Sequence, residues 1–339
     1  MWKRNVQIAA ALGGLCFAAL LCGDALLAQG PDPAMPGGNL LHQVKWLRLE
    51  VVGGRIVAKS DRCSQSRVSV ESSTSGDSRQ TLNLEVEASA LVIRYEQVNA
   101  TGRLLLDVNE RGQLSIEGSG STSPTADVSY VQPPCGKVKL TIGGAKPQTI
   151  VADDLWQLLI TQRETCTQHL LPLLNALRPN WRLEEQLDQL ETALIARAGA
   201  DVVPQRLQWQ AWVDDLASAD FSRRQAADHA LRHIGQPVLA YLRDLDRKQL
   251  DGEQRRRIRS MLSDLPDGNS DSPPRSAEWL AGDKRVWLAL LARGELDQRI
   301  AAAEHLSQLC RRPLVFDPQA AAAVRSAQLA ELAARLADK

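Results

Sequence analysis

A chain of 339 residues that is 44% apolar can bury the cores of two ordinary domains, which excludes both a disordered chain and a miniature scaffold. Forty Lys and Arg against forty Asp and Glu leave a formal net charge of zero. The electrostatic footprint of a nucleic-acid-binding protein is therefore missing, and no nucleic-acid partner is expected.

The first element is a targeting signal. Lys3 and Arg4 form a basic start, Ile8 to Gly23 is uncharged and rich in Ala, Leu and Gly, and Asp24 closes the run. Residues 1–28 are expected to be a signal peptide, cut after Ala28 or Ala25, and the protein is expected in the periplasm or outside the cell. Residues 6–23 left uncut would anchor it, the one case in which a membrane is a partner; the run is shorter than a bilayer span requires. Cys16 and Cys22 each follow a leucine, where a lipoprotein signal needs a small residue. Without the leader, Cys63, Cys135, Cys166 and Cys310 remain, in a compartment where disulfides persist. Cys63 and Cys135 fall in loop-like segments of the same half and are the candidate disulfide; Cys166 and Cys310 fall on helical patterns and read as buried thiols.

Residues 29–39 are rich in Pro and Gly and read as a linker. Over 40–151 the apolar period is two, as in Leu47/Leu49/Val51, Leu82/Leu84/Val86, Leu91/Ile93/Tyr95, Leu104/Leu106/Val108 and Val138/Leu140/Ile142. Gly53-Gly54 is a two-residue hairpin signal, and Asn109 to Gly112 supplies a longer turn. No helix-length crossover separates these runs, so the strands pair as an antiparallel sheet or sandwich. From Asp153 the spacing turns to three and four, with Leu170/Leu173/Leu174/Leu177 and Leu183/Leu187/Leu190/Leu194. Residues 152–204 form a helical connector and 205–339 an all-α domain, so the fold class is α+β in two parts. The polar run from Pro266 to Pro274 reads as a loop, and Pro318 to Asp338 as a final helix.

Within the helical part the chain repeats itself. Trp212 to Leu231 aligns without gaps on Trp287 to Leu306, an offset of 75 residues. Trp212/Trp287, Leu216/Leu291, Ala217/Ala292, Arg224/Arg299, Ala226/Ala301, Ala227/Ala302 and Leu231/Leu306 are shared. The implied unit is helix, turn, helix. Trp212, Leu216, Ala226, Ala227 and Leu231 form its expected core in the first copy and Trp287, Leu291, Ala301, Ala302 and Leu306 in the second, the alanines letting the second helix approach the first. With the acid at the turn, the Arg, the Ala pair, the Leu and Gly-x-Pro opening a further helix, DFSRRQAADHALRHIGQPVLAYLR resembles the HEAT-like helical repeats of uncharacterised secreted bacterial proteins. The resemblance spans Gln208 to Leu262, with a poorer copy from Val286 to Pro313, where Cys310 stands in place of Gly235. It implies a packing or protein-binding surface and carries no catalytic residue.

Several constellations could carry chemistry. His229 and His233 lie four apart on one helix face, the spacing of a zinc pair, and are the metal candidates. Ala230 stands where a zincin has Glu, and the repeat aligns the two histidines with Glu304 and Gln308, which argues for a solvated polar face. Cys166 and His169, three apart, are a second pair read the same way. Asp267, Asn269, Asp271 and Glu278 match positions 1, 3, 5 and 12 of an EF-hand, but Ser272 stands at the glycine position and Pro273-Pro274 follow, so a polar linker is the better reading. Arg255 to Arg259 is a basic run that Asp244, Asp246, Asp251 and Glu253 can neutralise. Asp153-Asp154 suit a helix N-terminus, and Gly118 to Thr122 lacks the Lys of a phosphate loop. The tryptophans of the helical half could form a sugar-stacking row, but the repeat equivalence of Trp212 and Trp287 favours core packing for all of them. No nucleophile elbow, HExxH or dinucleotide fingerprint occurs, and no cofactor is expected. A non-enzymatic binding or scaffold protein is expected, using the helical surface against another envelope or secreted protein. The alternative is a secreted hydrolase or carbohydrate-binding protein, with its site on the β domain or between the halves.

Overall fold

The computed structural model describes residues 39–60, 66–74, 78–87, 90–100, 102–120, 127–134, 136–143, 146–199, 202–235, 237–246, 248–264 and 270–337. Residues 1–28, read above as a signal peptide, most of the 29–39 segment, Cys63 and Cys135 lie outside the described residues. No described helix is long and apolar enough to cross a membrane.

The period-two runs become two antiparallel sheets. A short helix, α1 (Leu40–Gln43), leads into a separate hairpin of β1 (Leu47–Val52) and β2 (Arg55–Ser60). Its turn is Gly53-Gly54 with φ of 58° and 71°, left-handed values that a two-residue hairpin turn needs and glycine adopts without strain. The main sheet is a meander in sequence order: β3 (Ser66–Thr74), β4 (Ser78–Glu87), β5 (Ala90–Asn99), β6 (Gly102–Val108), β7 (Leu114–Gly120), β8 (Val128–Gln132), β9 (Val138–Ile142) and β10 (Gln148–Ala152). β3 and β10 are its edges.

Alternation places Leu82, Leu84, Ile93, Tyr95, Leu106, Ile116, Tyr130 and Leu140 on one face, all buried. The opposite positions carry exposed Asn83, Arg94, Arg103, Glu117 and Lys139, with half-buried Val92, Leu105 and Val131 among them. The main sheet thus keeps one largely solvated face, and the β1–β2 hairpin packs on the other, where Gln132 bonds both the Ile56 amide and the Ile56 carbonyl.

Helices cover the other face. α2 (Leu155–Thr161) opens on Asp154, whose carboxylate accepts from the Gln157 amide at 2.9 Å. α3 (Arg163–Thr165), a π-helical turn (Cys166–Leu170) and α4 (Leu171–Leu177) follow, then α5 (Leu183–Ala196), which buries Leu183, Leu187, Leu190 and Leu194. The chain then leaves for α6 (Val202–Asp215), α7 (Phe221–Ile234), α8 (Pro237–Asp244) and α9 (Gly252–Asp264), whose Trp209, Val213, Leu216, Leu231, Leu242 and Met261 form a hydrophobic cluster of their own. It returns through α10 (Pro273–Leu280), α11 (Lys284–Ala292) and α12 (Leu296–Cys310), which pack into the cluster that includes the sheet, with α13 (Ala322–Ala337) against α11. The helices after residue 205 thus divide between two cores.

The repeat core is narrower than the sequence implies. Leu216, Ala227 and Leu231 are buried in the first copy and Trp287, Leu291, Ala302 and Leu306 in the second. Three residues expected with them are not: Ala226 is exposed, and Ala301 and Trp212 are only half-buried. Successive residues of a helix point about 100° apart, so with Ala227 and Ala302 facing inward, Ala226 and Ala301 turn to the flank of the buried stripe. Only one alanine of each pair therefore makes the close helix approach. Trp212 sits at the margin of the smaller cluster, where fewer elements cover it.

Two local expectations shift. Pro273-Pro274 start α10 instead of ending a loop, because proline in a first turn gives up no intrahelical bond. The last helix begins at Ala322, four residues after Pro318, since Asp317 holds the preceding segment in a turn by accepting from the Gln319 amide at 2.9 Å.

Candidate functional site

A cleft between the sheet and the helices lies where the alternation of the buried sheet face changes character. Over most of that face the inward positions carry Leu, Ile, Val or Tyr. At the end formed by β5, the start of β6 and the end of β7, they carry Gln97, Asn99, Gly102, Gly118 and Gly120. Absent side chains leave space, and a cleft of about 280 Å³ opens there. Its other wall is the π-helical turn and α4, through Gln168, His169, Pro172, Leu173 and Ala176, and Leu104 and Val128 complete the apolar lining.

Gly118 sets the spacing of the walls: a Cβ there would stand 2.5 Å from Leu173 Cδ2. The π-helical turn bulges the helix at the point where it presents Gln168 and His169, a distortion that recurs at functional sites. His169 is half-buried, and its Nδ1 is sealed from solvent with no hydrogen-bond partner among the described residues. Gln97 is oriented through its amide oxygen, 3.1 Å from the Tyr95 hydroxyl, and that hydroxyl also stands 3.0 Å from Gln80 Oε1. Burial pushes the Tyr95 hydroxyl pKa up, so it remains a neutral donor. Arg103, at the rim, is held by Glu96 at 2.6 Å. The cleft therefore offers amides, a hydroxyl from Ser119, an imidazole and backbone groups over an apolar floor, and no carboxylate lines it among the described residues.

This chain matches no known protein-family model, no curated protein and no solved structure. Its own geometry carries the functional argument.

The residues singled out in the sequence fall elsewhere. His229 and His233 are exposed on α7, their rings stacked with centroids 6.3 Å apart, and no described group of three or more His, Cys, Asp or Glu could hold a metal with them. Cys166 is a buried thiol raised to about 12 by burial, its Sγ on the Leu158 carbonyl, while His169 lines the cleft. Cys310 is free. Two arginines of the basic run are tied up locally: Glu253 takes Arg256 at 3.0 Å and Arg257 at 2.7 Å, and their hydrogen bonds lower its pKa to about 2. Buried Asp228 receives Arg232 at 3.0 Å and Arg257 at 3.5 Å, a role its sequence position did not announce. Trp156, Trp181, Trp209, Trp279 and Trp287 are buried and Trp212 half-buried, which leaves no open row of indole faces among them. Asp154 caps α2, and Asp153 pairs with Lys137 at 3.1 Å and Arg285 at 3.6 Å.

Asp271, position 5 of the calcium reading, serves as a clamp. Its carboxylate accepts from the Gly53 and Gly54 amides, both at 2.7 Å, and from Trp156 Nε1 at 2.8 Å, and its own amide donates to the Val51 carbonyl at 2.7 Å. Burial raises its pKa against those bonds. His305 is a second residue the sequence did not mark. Its Nδ1 accepts from the Gly199 amide at 3.1 Å, which places the ring proton on Nε2, 2.9 Å from the Ala281 carbonyl, and its ring lies 4.1 Å from that of Trp287.

Proposed function

We propose that this is a non-enzymatic binding protein and that the cleft between the sheet and α4 holds a small, neutral, polyhydroxylated ligand. The observation that carries the reading is the cluster of amides and glycines at Gln97, Asn99, Gly102, Gly118 and Gly120, on a face whose other inward positions are mostly aliphatic or aromatic. Amide groups donate and accept at once, which suits hydroxyls, and Leu104, Val128 and Leu173 suit the C–H face of such a molecule. A volume of about 280 Å³ is of monosaccharide-to-disaccharide scale. Among the described residues, Asp228, Asp271 and Asp283 occupy joints between elements and no carboxylate lines the cleft, so the paired carboxylates of a glycoside hydrolase are not brought together there. Isothermal titration of the purified protein with a panel of neutral sugars tests this. One or more should bind, and Ala176→Phe, at an exposed position on the rim, should abolish binding while leaving the melting temperature unchanged. Turnover of a glycoside by the wild type would replace this reading with the hydrolase.

A second reading, an envelope or secreted protein partner on the HEAT-like helices, draws on Phe221 and Leu207, which are 62% and 54% exposed on α7 and α6. A photo-crosslinking residue at either position, in cells, should give one discrete adduct.

A further inference from the structure

The two edges of the main sheet are treated differently. β10 has five residues, runs directly into α2 and packs on it, and its following Asp153 is paired to Lys137. β3 has nine residues, contains no Pro, Gly or Lys, and runs in unbroken register along β4 from Ser66↔Val86 to Thr74↔Ser78. Proteins normally blunt such an edge with a proline, a bulge or an inward charge, because its outer amides and carbonyls template another strand. Here the inward side chains are Val68 and Val70, only half-buried, and the outward ones are Arg67, Ser69 and Glu71, all exposed.

The order of those five residues reads the same against itself. When β3 meets a second β3 antiparallel with the two-fold at Ser69, Arg67 stands opposite Glu71 of the other copy at both ends, Val68 opposite Val70, and Ser69 opposite Ser69. Directly opposed residues share a face, so both charge pairs form on the solvated side and both valine pairs on the apolar side. Slipping the two-fold to Val68 or Val70 breaks the charge pairs, and in-register parallel pairing sets like charges together. Arg79, 2.8 Å from Glu71 within the chain, adds a second positive neighbour to each carboxylate in the paired form.

We propose that two copies of this chain associate through β3, joining their sheets edge to edge in the register centred on Ser69. A ladder of this length buries less than the ~1,200 Å² of a permanent interface, so the dimer is reversible and concentration-dependent. Sedimentation velocity from micromolar to submillimolar protein should show a monomer–dimer equilibrium. Glu71→Arg turns both cross-strand pairs repulsive and should weaken association by about tenfold or more. Arg67→Glu alone should weaken it likewise, and mixing the two variants should restore association as a heterodimer, since both cross-strand pairs are then opposite in charge. Both positions are exposed, and circular dichroism of each variant should match the wild type. A wild type that stays monomeric at the highest concentration, a Glu71→Arg variant that dimerises like the wild type, or a mixture that associates no better than either variant alone would each overturn the proposal.

Discussion

The hairpins α6–α7 and α11–α12 come from one repeated stretch of sequence and end in different surroundings. Their second helices begin at equivalent residues, Phe221 and Leu296, each behind an acidic N-cap, Asp220 and Glu295. The repeated arginines act alike: Arg224 Nη1 donates to the Ala219 carbonyl at 2.9 Å and Arg299 Nη1 to the equivalent Gly294 carbonyl at 2.6 Å. Leu216, Leu291, Leu231 and Leu306 are all fully buried, and in each copy the second alanine, Ala227 or Ala302, is the buried one. The first alanines already differ, Ala226 being exposed and Ala301 half-buried beside the larger core. The tryptophans part company further. Trp287 is 0% exposed, with Nε1 donating to the Ala281 carbonyl at 2.6 Å, whereas Trp212 is half-buried at the margin of the smaller cluster. The local unit is set by its own residues, and how far its largest side chain is buried is set by what packs on it.

The sharpest test of this difference is truncation. Trp287→Ala should cost about 3–5 kcal/mol and Trp212→Ala roughly 1–3 kcal/mol by urea unfolding, because only the first leaves a fully enclosed cavity. Equal costs would dissolve the distinction. Next comes His305, which the alignment sets against Ala230, so that only the second copy carries this buried ring. His305→Ala should cost about 2–3 kcal/mol, since the Gly199 amide loses its acceptor and the indole a neighbour.

The two copies should also answer oppositely to acid. Burial raises the pKa of Asp283, the N-cap of α11, above 3.8, so the folded chain binds the proton more tightly than the unfolded one. Its contribution falls as pH rises through 3.8 and up to the folded value, and Asp283→Asn should remove that slope. Glu253 in α9, packed with the first copy, is lowered from 4.5 to about 2 by Arg256 and Arg257. Its contribution is present above 4.5 and is lost as pH falls towards 2, and Glu253→Gln should remove that one. Urea melts of both variants between pH 2 and 6 will show whether the slopes have opposite sign. The smallest effect is expected at His229, where Ala should change stability by no more than about 0.5 kcal/mol, and a zinc titration should be indifferent to the substitution.

Strands and helices were legible because each buries one face, and a one-sided burial prints its period on the chain. The Gly53-Gly54 turn and the repeat were legible for the same local reason. Which member of each alanine pair faces inward was not, since two small apolar neighbours leave the phase of the helix open. Asp271 was hidden because spacing to its sequence neighbours suggested a calcium loop while the actual partners of its carboxylate are 115 to 218 positions away. His305 was hidden likewise, between Gly199, 106 positions away, and the Ala281 carbonyl at the end of α10, 24 positions away. The cleft did leave a trace, in that Gln97, Gly102, Gly118 and Gly120 interrupt the inward apolar series. A single strand read in isolation takes such a residue for fraying at its end, and only the register of β5, β6 and β7 brings the interruptions together.

The Asp271 clamp also fixes an order of events. Gly53 and Asp271 are separated by 218 positions, so at a synthesis rate of about 5–20 residues per second the β1–β2 turn waits roughly 10–40 s for the carboxylate that satisfies its amides. During that interval β1 and β2 can pair, but their turn lacks its cap and Trp156 lacks its acceptor. The N-terminal part is therefore completed by the passage that leads into α10, and a chain interrupted before that point carries an unfinished joint at its beginning.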